Sequence, residues 1–148
     1  MRPATEFLEC LDCSCFAARR AARTITQHYE RLMKPSGLSV SQFTILAVLA
    51  VAGPMPLTRL ADEMAIERTT LTRNLRSLLD QGWVSESASG DRRVRLLEIT
   101  RKGTTAAREA LPHWRKAQKT IAGQLGADAI RALATASKAT SGMTGGRR

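Results

Sequence analysis

The sequence has few of the residues that enzymes and disulfide-stabilised proteins depend on. It contains two histidines and three cysteines, no glycine-rich phosphate-binding loop, and no Ser/His/Asp pattern in a recognisable structural context. All three cysteines lie between positions 10 and 15, and in a reducing cytosolic compartment we expect free thiols and no disulfide framework of the secreted kind. We therefore expect a protein that is not an enzyme, and no cofactor is indicated.

Long apolar runs are also missing. The first residues, MRPATEFLECLDC, contain no apolar stretch long enough for a signal peptide. The longest apolar stretch, FTILAVLAVAG, is too short to cross a bilayer. These features predict a cytoplasmic protein with no membrane partner.

Acidic residues are scarce relative to basic ones. The chain has 23 Lys+Arg against 13 Asp+Glu, which gives a net charge of +10 and a pI near 10.8. Such a surplus predicts a polyanionic partner, with nucleic acid favoured over an anionic membrane surface. The 148 residues suit one domain, and an elongated helical shape would need a second copy to complete its core.

Hydrophobic periodicity predicts a mainly α-helical first half. One long helix is expected from about Leu8 to Met33, followed by the breaker PSG. Ser39 and Gln42 predict a capping box at the start of a second helix, which is apolar nearly all round and should form the middle of the core. Two short helical segments follow, LTRLADEMA and TTLTRNLRSLLDQG, joined by three residues. They predict a helix-turn-helix.

After Gly82 the pattern changes from helical to strand-like. WVSES and VRLLEIT are short β-biased runs separated by the turn residues 89–91, which predicts a two-stranded hairpin, the wing of a winged helix-turn-helix. A long helix should run from about Arg101 to Gln124, with a kink caused by Pro112. A weaker helix and a tail, 141–148, expected to be disordered, complete the chain.

The second helix of the pair carries the residues that we expect to meet DNA. If its leucines point inward, the opposite face presents Thr69, Thr70, Arg73, Arg76 and Ser77. Arg73 is the first candidate for base readout, because arginine can bond guanine O6 and N7 together. Arg68, Arg76 and Ser77 are expected at phosphates, with Asn74 on the flank. An ordinary solvated helix face is the alternative interpretation.

The predicted wing tip adds two more arginines. Its sequence, SGDRR, places Arg92 and Arg93 on a protruding loop. An inserted arginine is favoured where a minor groove is narrow and strongly negative. Asp91 would repel phosphate unless it is satisfied locally, so we expect it to orient Arg93 by a charge-assisted hydrogen bond.

Several stretches together resemble the MarR family of bacterial transcription regulators. They are LADEM followed by ERTTLTRNLRSLLDQGWV, the wing GDRRVRLLEIT and the following RKG. The resemblance covers nearly the whole chain and implies one domain, with dimerisation helices in 1–37 and 101–140 and a DNA-binding winged helix-turn-helix in 38–100. It implies a homodimer on a pseudopalindromic double-stranded DNA operator in the bacterial nucleoid, with Arg93 entering the minor groove.

We interpret the chain as a repressor that leaves its operator in response to a ligand or an oxidant. Small aromatic acids are common ligands of the resembled family, and Arg19, Arg23, His28 and His113 are candidates to contact a carboxylate. Each is more often a surface group or a structural partner. Two alternatives from other classes stay open: a peroxide-consuming thiol protein, and an architectural protein that coats DNA without sequence preference.

The segment ECLDCSCF allows three interpretations: a metal site, a redox switch, or packing. On one helix Cys10 and Cys13 would be neighbours while Cys15 points away, and too few ligands are nearby for tetrahedral zinc, so we expect no metal. Free cysteines are often small packing residues, and burial of all three at a dimer interface is the favoured interpretation.

The redox interpretation comes from the resemblance. Cys15 followed by phenylalanine resembles the reactive pair of the family's organic-hydroperoxide sensors, whose thiolate is supported by two tyrosines of the partner subunit. Tyr29 matches the first tyrosine, but Val40 stands at the position of the second. Arg19 lies one helical turn beyond Cys15 and could offset that loss electrostatically.

Overall fold

A computed structural model describes residues 4–88, 90, 94–141 and 143 of the chain. Over these residues the fold is mainly α-helical with one small antiparallel sheet, which confirms the predicted fold class. In chain order the elements are a 3₁₀ helix Thr5–Asp12, α1 Ser14–Met33, a 3₁₀ turn Lys34–Ser36, α2 Val40–Ala52, β1 Met55–Pro56, α3 Leu57–Met64, α4 Arg68–Asp80, β2 Val84–Ala88, β3 Arg95–Ile99 and α5 Arg101–Thr140.

Helix α2 lies in the middle of the core. Its capping box forms as predicted: the Gln42 amide donates to Ser39 Oγ at 3.1 Å, and the Ser39 amide donates to Gln42 Oε1 at 3.0 Å. These bonds satisfy amides that the first turn leaves without a helical partner. Ile45, Leu46 and Leu49 are almost fully buried, so the apolar character of the helix reflects contact on most sides.

Helices α3 and α4 form the predicted helix-turn-helix. The turn between them begins at Ala65, which adopts the left-handed conformation (φ 51°, ψ 41°) and donates its amide to Asp62 at 3.1 Å. Left-handed backbone is uncommon for a residue with a side chain, and here it ends α3 sharply. Leu60 on α3 and Leu71 and Leu78 on α4 are completely buried and hold the pair against the core.

The predicted wing is confirmed as an antiparallel pair of strands. Strand β2 pairs with β3 from Val84↔Ile99 to Ala88↔Arg95. A third strand, β1, pairs Met55 with Leu97 on the other side of β3, where the sequence predicted only a breaker. A two-residue strand containing proline at a sheet edge is too short to show an alternating pattern. Although the strand is short, the Met55 side chain is buried (1% exposed) and forms part of the core beneath the wing.

Helix α5 begins directly against the base of the wing. Thr100 caps it by accepting from the Gly103 amide at 3.0 Å, and the Thr100 amide itself donates to the Trp83 carbonyl at 3.0 Å. A Cβ added to Gly103 would lie 2.0 Å from that same Trp83 oxygen. Glycine is therefore required here by a close backbone approach.

Two helix boundaries differ from prediction. The expected single helix from Leu8 is instead a 3₁₀ helix followed by extended Cys13 (φ −64°, ψ 129°), and α1 begins at Ser14. None of the residues Thr5–Asp12 is buried, so no tertiary contact within the chain selects an α-helix there. Cys10 therefore lies in the 3₁₀ helix and Cys15 in α1, with Cys13 between them, so the three cysteines do not lie on one continuous α-helix.

The expected kink at Pro112 is also wrong. Within α5, which is described throughout, Gly126 alone has non-helical angles (φ 80°, ψ 162°), and Pro112 keeps helical ones. Pro112 lies on the exposed side of the helix, where water can bond the carbonyl that proline leaves without a donor. Gly126 therefore divides α5 into two helical segments, 101–125 and 127–140.

Candidate nucleic-acid interface

Helix α4 presents one polar face outward. Leu71, Leu75 and Leu78 are buried, and Leu79 is half-buried, as the spacing predicted. The structure places most of the sequence-predicted polar residues of α4 on the exposed side: Arg68, Thr69, Arg73, Arg76 and Ser77. The helix is thus anchored by one stripe and free to contact a ligand with the other.

Two of the predicted residues lie closer to the body of the protein. Thr70 and Asn74 are half-buried, so Thr70 flanks the exposed face instead of occupying it, while Asn74 lies on the flank where it was expected. Thr72 is exposed and was missed by the sequence analysis; its hydroxyl donates to the Arg68 carbonyl at 2.8 Å. The signal was available, because Thr72 is three residues after Thr69 and four before Arg76, which puts the three on one side of a helix.

A groove of about 460 Å³ runs along this face. Thr69, Thr72, Arg73 and Arg76 line one wall, and Glu86 of β2 lies at the other. Glu86 is paired with Arg95 across the hairpin at 3.1 Å, so its negative charge is compensated locally. The other charged side chains that line the groove are Arg73, Arg76 and Asp80.

The wing tip is only partly described. Gly90 is exposed, whereas Ser89, Asp91, Arg92 and Arg93 lie outside the described residues. The predicted Asp91–Arg93 hydrogen bond and the predicted minor-groove contact of Arg93 therefore stay predictions. Most of the tail 141–148 lies outside the described residues as well.

The hairpin is fixed to the helix-turn-helix by a compact set of bonds. Thr100 Oγ1 donates to the Gly82 carbonyl at 2.7 Å, and Lys102 Nζ donates to the Gln81 carbonyl at 2.7 Å. Both carbonyls lie just beyond the C-terminus of α4, where a cation is also favoured by the helix dipole. These bonds connect the C-terminal end of α4 to the start of α5 at the base of the wing.

All three cysteines are exposed and unpaired in the described chain. Cys13 and Cys15 lie beside Arg19, Arg20 and Arg23 along a groove of about 560 Å³ whose walls all belong to the segment 13–27. Arg19 is thus near Cys15, as the helical spacing predicted. Over the described residues no group of three or more His, Cys, Asp or Glu side chains is placed to hold a metal ion.

Tyr29 and His28 connect α1 to α5 within one chain. The Tyr29 hydroxyl donates to Gln118 Oε1, and burial raises the pKa of this phenol above its ordinary value of 10.0. His28 Nε2 lies 3.3 Å from the Ala117 carbonyl, and Arg31 donates to His28 Nδ1 at 3.3 Å. Because a guanidinium only donates and a carbonyl only accepts, both contacts require the neutral Nε2–H tautomer. His28 therefore acts as a structural link.

Among the described residues, large apolar side chains are left exposed in several elements, including Val51 at the end of α2 (90% exposed) and Phe16 of α1. Phe7, Leu8 and Leu11 of the N-terminal 3₁₀ helix are each at least 60% exposed. In α5, Leu125 and Leu133 are also exposed, and beyond the Gly126 break only Ala129 and Ile130 are even half-buried. Residues that are this apolar and uncovered mark a surface that a partner can cover.

No single helix among the described residues is both long and apolar enough to cross a membrane. The bent pair 14–36 and 40–52, with 79° between its halves, meets the length and composition criteria only when both halves are taken together.

The tight turn between α3 and α4, the polar face of α4 and the attached hairpin define a winged helix-turn-helix protein. Residues 38–94 match the model of the MarR family. The solved structure of the Mycobacterium tuberculosis transcriptional regulator MosR in complex with DNA is 36% identical, has a TM-score of 0.77, and aligns over 89% of this chain and 98% of MosR. The chain belongs to the MarR family of transcriptional regulators.

Two further relatives show how far the likeness extends. YwoH of Bacillus subtilis, an HTH-type transcriptional regulator, is 30% identical over 83 residues, which are 56% of this chain and 61% of YwoH. The chain thus spans about three fifths of that curated relative. The transcriptional repressor CouR, solved on a DNA duplex, is 23% identical with a TM-score of 0.78 over 91% of this chain and 96% of its own. At that identity CouR supports the fold alone.

Proposed function

We propose that the protein is a homodimeric, sequence-specific DNA-binding regulator of transcription. The observation that carries this proposal is the exposed face of α4, which presents Arg68, Arg73 and Arg76 while its leucines fix the helix in the core. A helix of this kind fits a major groove, and the net charge of +10 suits a phosphate backbone. MosR, solved in complex with DNA, supports the same use of the fold.

The exposed residues of α4 divide by the contacts that their chemistry favours. Arg73, on the middle of the face, is proposed to read a guanine. Arg68, Arg76 and Ser77 are proposed to bind phosphates, with Thr69 and the flanking Thr70 and Asn74 at base edges or sugar. On the wing, Asp91 is proposed to orient Arg93 toward the minor groove, with Arg92 at the backbone.

We propose that two copies assemble through residues 1–37 and 101–140, leaving 38–100 as the DNA-binding region. The exposed apolar side chains of the N-terminal 3₁₀ helix and of the last third of α5 support this division. A two-fold dimer would present its recognition helices to half-sites about one DNA turn apart on a pseudopalindromic operator. Acting on chromosomal DNA, it would work at the nucleoid, in the bacterial cytoplasm.

The effector of this regulator is proposed to act near the N-terminus of α1, with repression relieved when it is present. Exposed Cys10, Cys13 and Cys15 could be oxidised, and three arginines lie along the same groove as Cys13 and Cys15. A small aromatic acid is the competing effector, since the same arginines could hold a carboxylate. In both cases the protein is proposed to be a sensor without enzymatic turnover.

DNA recognition is tested by fluorescence anisotropy at a fixed, stated salt concentration, with DNA from upstream of the protein's own gene and with random duplex. Wild type should prefer one site, unlike an architectural protein. Arg73→Ala should lose about 1–3 kcal/mol of binding free energy and relax base preference, whereas Arg93→Ala should weaken binding with less change in base preference. Arg115→Ala, which removes the same charge from the exposed side of α5, is the control and should bind nearly as wild type does.

The effector is tested with the same assay after an organic hydroperoxide and then dithiothreitol. A redox switch predicts that oxidant releases wild type reversibly and leaves Cys15→Ser bound. A peroxide-consuming enzyme would instead turn over repeatedly. If binding is tight and unaffected by oxidant in both proteins, the cysteines are packing residues and aromatic acids become the ligands to test.

A further inference from the structure

Three hydrogen bonds, together with the Ser39–Val40 peptide link, form a path that joins α1 to α4 through the start of α2. Glu30 Oε1 on α1 accepts from the Val40 amide at 3.0 Å, which is the first amide of α2. The Ser39 amide donates to Gln42 Oε1 at 3.0 Å, and Gln42 Nε2 then donates to Ser77 Oγ on α4 at 3.2 Å. The last bond spans 35 positions of the sequence, so it is a tertiary contact.

Gln42 uses both ends of its amide in this path. Its oxygen completes the capping box, and its nitrogen bonds the recognition helix. Glutamate would serve equally well in a capping box, but its carboxylate has no donor to offer. Because the carboxamide is planar, fixing the oxygen on Ser39 also fixes the direction in which the nitrogen points. The bond from the Ser39 backbone amide to Gln42 Oε1, which does not use the Ser39 hydroxyl, therefore helps to aim Nε2 at Ser77.

Ser77 is an informative position for such a bond. It lies on the exposed side of α4, one residue beyond Arg76 and four beyond Arg73. The buried leucines hold α4 in the core by close packing. The bond at the edge of the exposed face adds a directional restraint on the rotation of α4 about its own axis, and a small rotation moves a long arginine tip by more than the backbone moves.

We infer that Gln42 is a positioning residue for the recognition helix, and that the path from Glu30 through Gln42 to Ser77 carries a displacement of α1 to the DNA-reading face. This inference rests on the proposed function of α4. The Glu30 carboxylate on α1 lies at the N-terminus of α2, where it accepts a hydrogen bond from the Val40 amide. A movement of α1 therefore acts directly on the capped turn of α2 that holds Gln42. The path links the helix that carries Cys15 to the helix that carries Arg73.

The test is a double-mutant cycle on operator affinity with Gln42→Ala, Ser77→Ala and the combined variant. Ser77 is itself proposed to touch phosphate, so the single variants alone do not isolate the bond; the cycle does. We expect the combined loss to be about two- to fivefold smaller than the product of the single losses, the size suited to an exposed neutral hydrogen bond. Losses that simply multiply would overturn the inference.

Ser39→Ala is the matched control. It removes the acceptor for the Gln42 amide but keeps the Gln42 side chain and its bond to Ser77. It should lower stability as a lost cap does, yet its effect on affinity should multiply with that of Ser77→Ala. If Ser39→Ala couples to Ser77→Ala as strongly as Gln42→Ala does, Gln42 is only a cap and the inference fails.

Glu30 has its own conservative variant. Glu30→Gln keeps an acceptor for the Val40 amide, while Glu30→Ala removes it, and both delete one negative charge. Glu30→Gln should bind the operator at least twofold more tightly than Glu30→Ala if the path operates. Equal affinities would remove Glu30 from the path.

A measurement without DNA separates this inference from the proposed function. Amide hydrogen exchange across residues 76–80 should be faster in Gln42→Ala than in Ser39→Ala when compared at equal global stability. Unchanged exchange would overturn the inference that Gln42 positions α4, even if the protein binds an operator. Failure of wild type to prefer any operator would instead refute the proposed function, and the exchange result would still decide whether Gln42 holds α4.

Discussion

Gly103→Ala should destabilise the protein although alanine is the better helix former. The new methyl carbon would lie 2.0 Å from the Trp83 carbonyl oxygen and 3.0 Å from Ile99 Cγ1. Carbon–oxygen contacts ordinarily lie at about 3.3 Å or more, so α5 must move by roughly 1 Å away from the wing. The neighbouring backbone cannot rotate away as the end of a flexible side chain could.

The magnitude follows from three effects. Overpacking in a fixed environment costs about 1–3 kcal/mol. Displacing α5 also weakens the bond from the Thr100 amide to the same carbonyl, 3.0 Å long, for about 0.5–1.5 kcal/mol. Alanine returns about 1 kcal/mol of helix propensity. We expect a net loss of about 2 kcal/mol in the free energy of unfolding.

The assay is urea unfolding followed by circular dichroism at one fixed protomer concentration, since assembly contributes to apparent stability. Gly123→Ala is the matched control in the same helix: it is exposed, and its Cβ would meet nothing within 4 Å. That variant should gain about 0.5–1 kcal/mol. If Gly103→Ala is as stable as Gly123→Ala, the close approach of α5 to the wing is not as described.

Three further predictions concern other parts of the fold. Tyr29, the single tyrosine of the chain, should titrate above pH 10.0 when its absorbance at 295 nm is followed, and a midpoint at or below 10.0 would contradict its burial. Because the pKa of Tyr29 is higher in the folded than in the unfolded protein, its contribution to the free energy of unfolding should be present below the unfolded pKa and lost as pH rises through the folded pKa. Ser39→Ala should cost about 1 kcal/mol in urea unfolding through the lost cap, and a neutral result would mean that the capping box is dispensable. Leu78→Ala, at a side chain that is 0% exposed, should cost about 2–5 kcal/mol, and a cost under 1 kcal/mol would place Leu78 outside the core.

The sequence was most informative where local chemistry and burial agree. Ser39 and Gln42 predicted a capping box that forms, and the leucine spacing of α4 predicted which of its faces is buried. It was less informative where the outcome depends on contacts that are distant in sequence. The pairing of Met55 with Leu97 creates β1, and no pattern in two residues could announce it.

The predictions for the N-terminal segment and for the kink in α5 were wrong for a related reason. Periodicity from Leu8 onward suits an α-helix, but the segment has nothing to pack against in one chain and becomes a 3₁₀ helix. Proline lowers the chance of a straight helix, yet Pro112 is tolerated on an exposed side while Gly126, with its positive φ, makes the break. The roles expected of the wing-tip residues Asp91, Arg92 and Arg93 in DNA binding stay predictions.

The uncovered apolar residues at both ends of the chain have a consequence for gene dosage. If assembly through these ends is what makes two linked reading heads, the amount of active regulator depends on the square of the protomer concentration whenever that concentration is below the dimer dissociation constant. Halving the protein would then cut the dimer concentration about fourfold rather than twofold, and the occupancy of an unsaturated operator would fall with it. Dilution at cell growth or a modest change in proteolysis would by itself act as a sharp signal, with no effector bound.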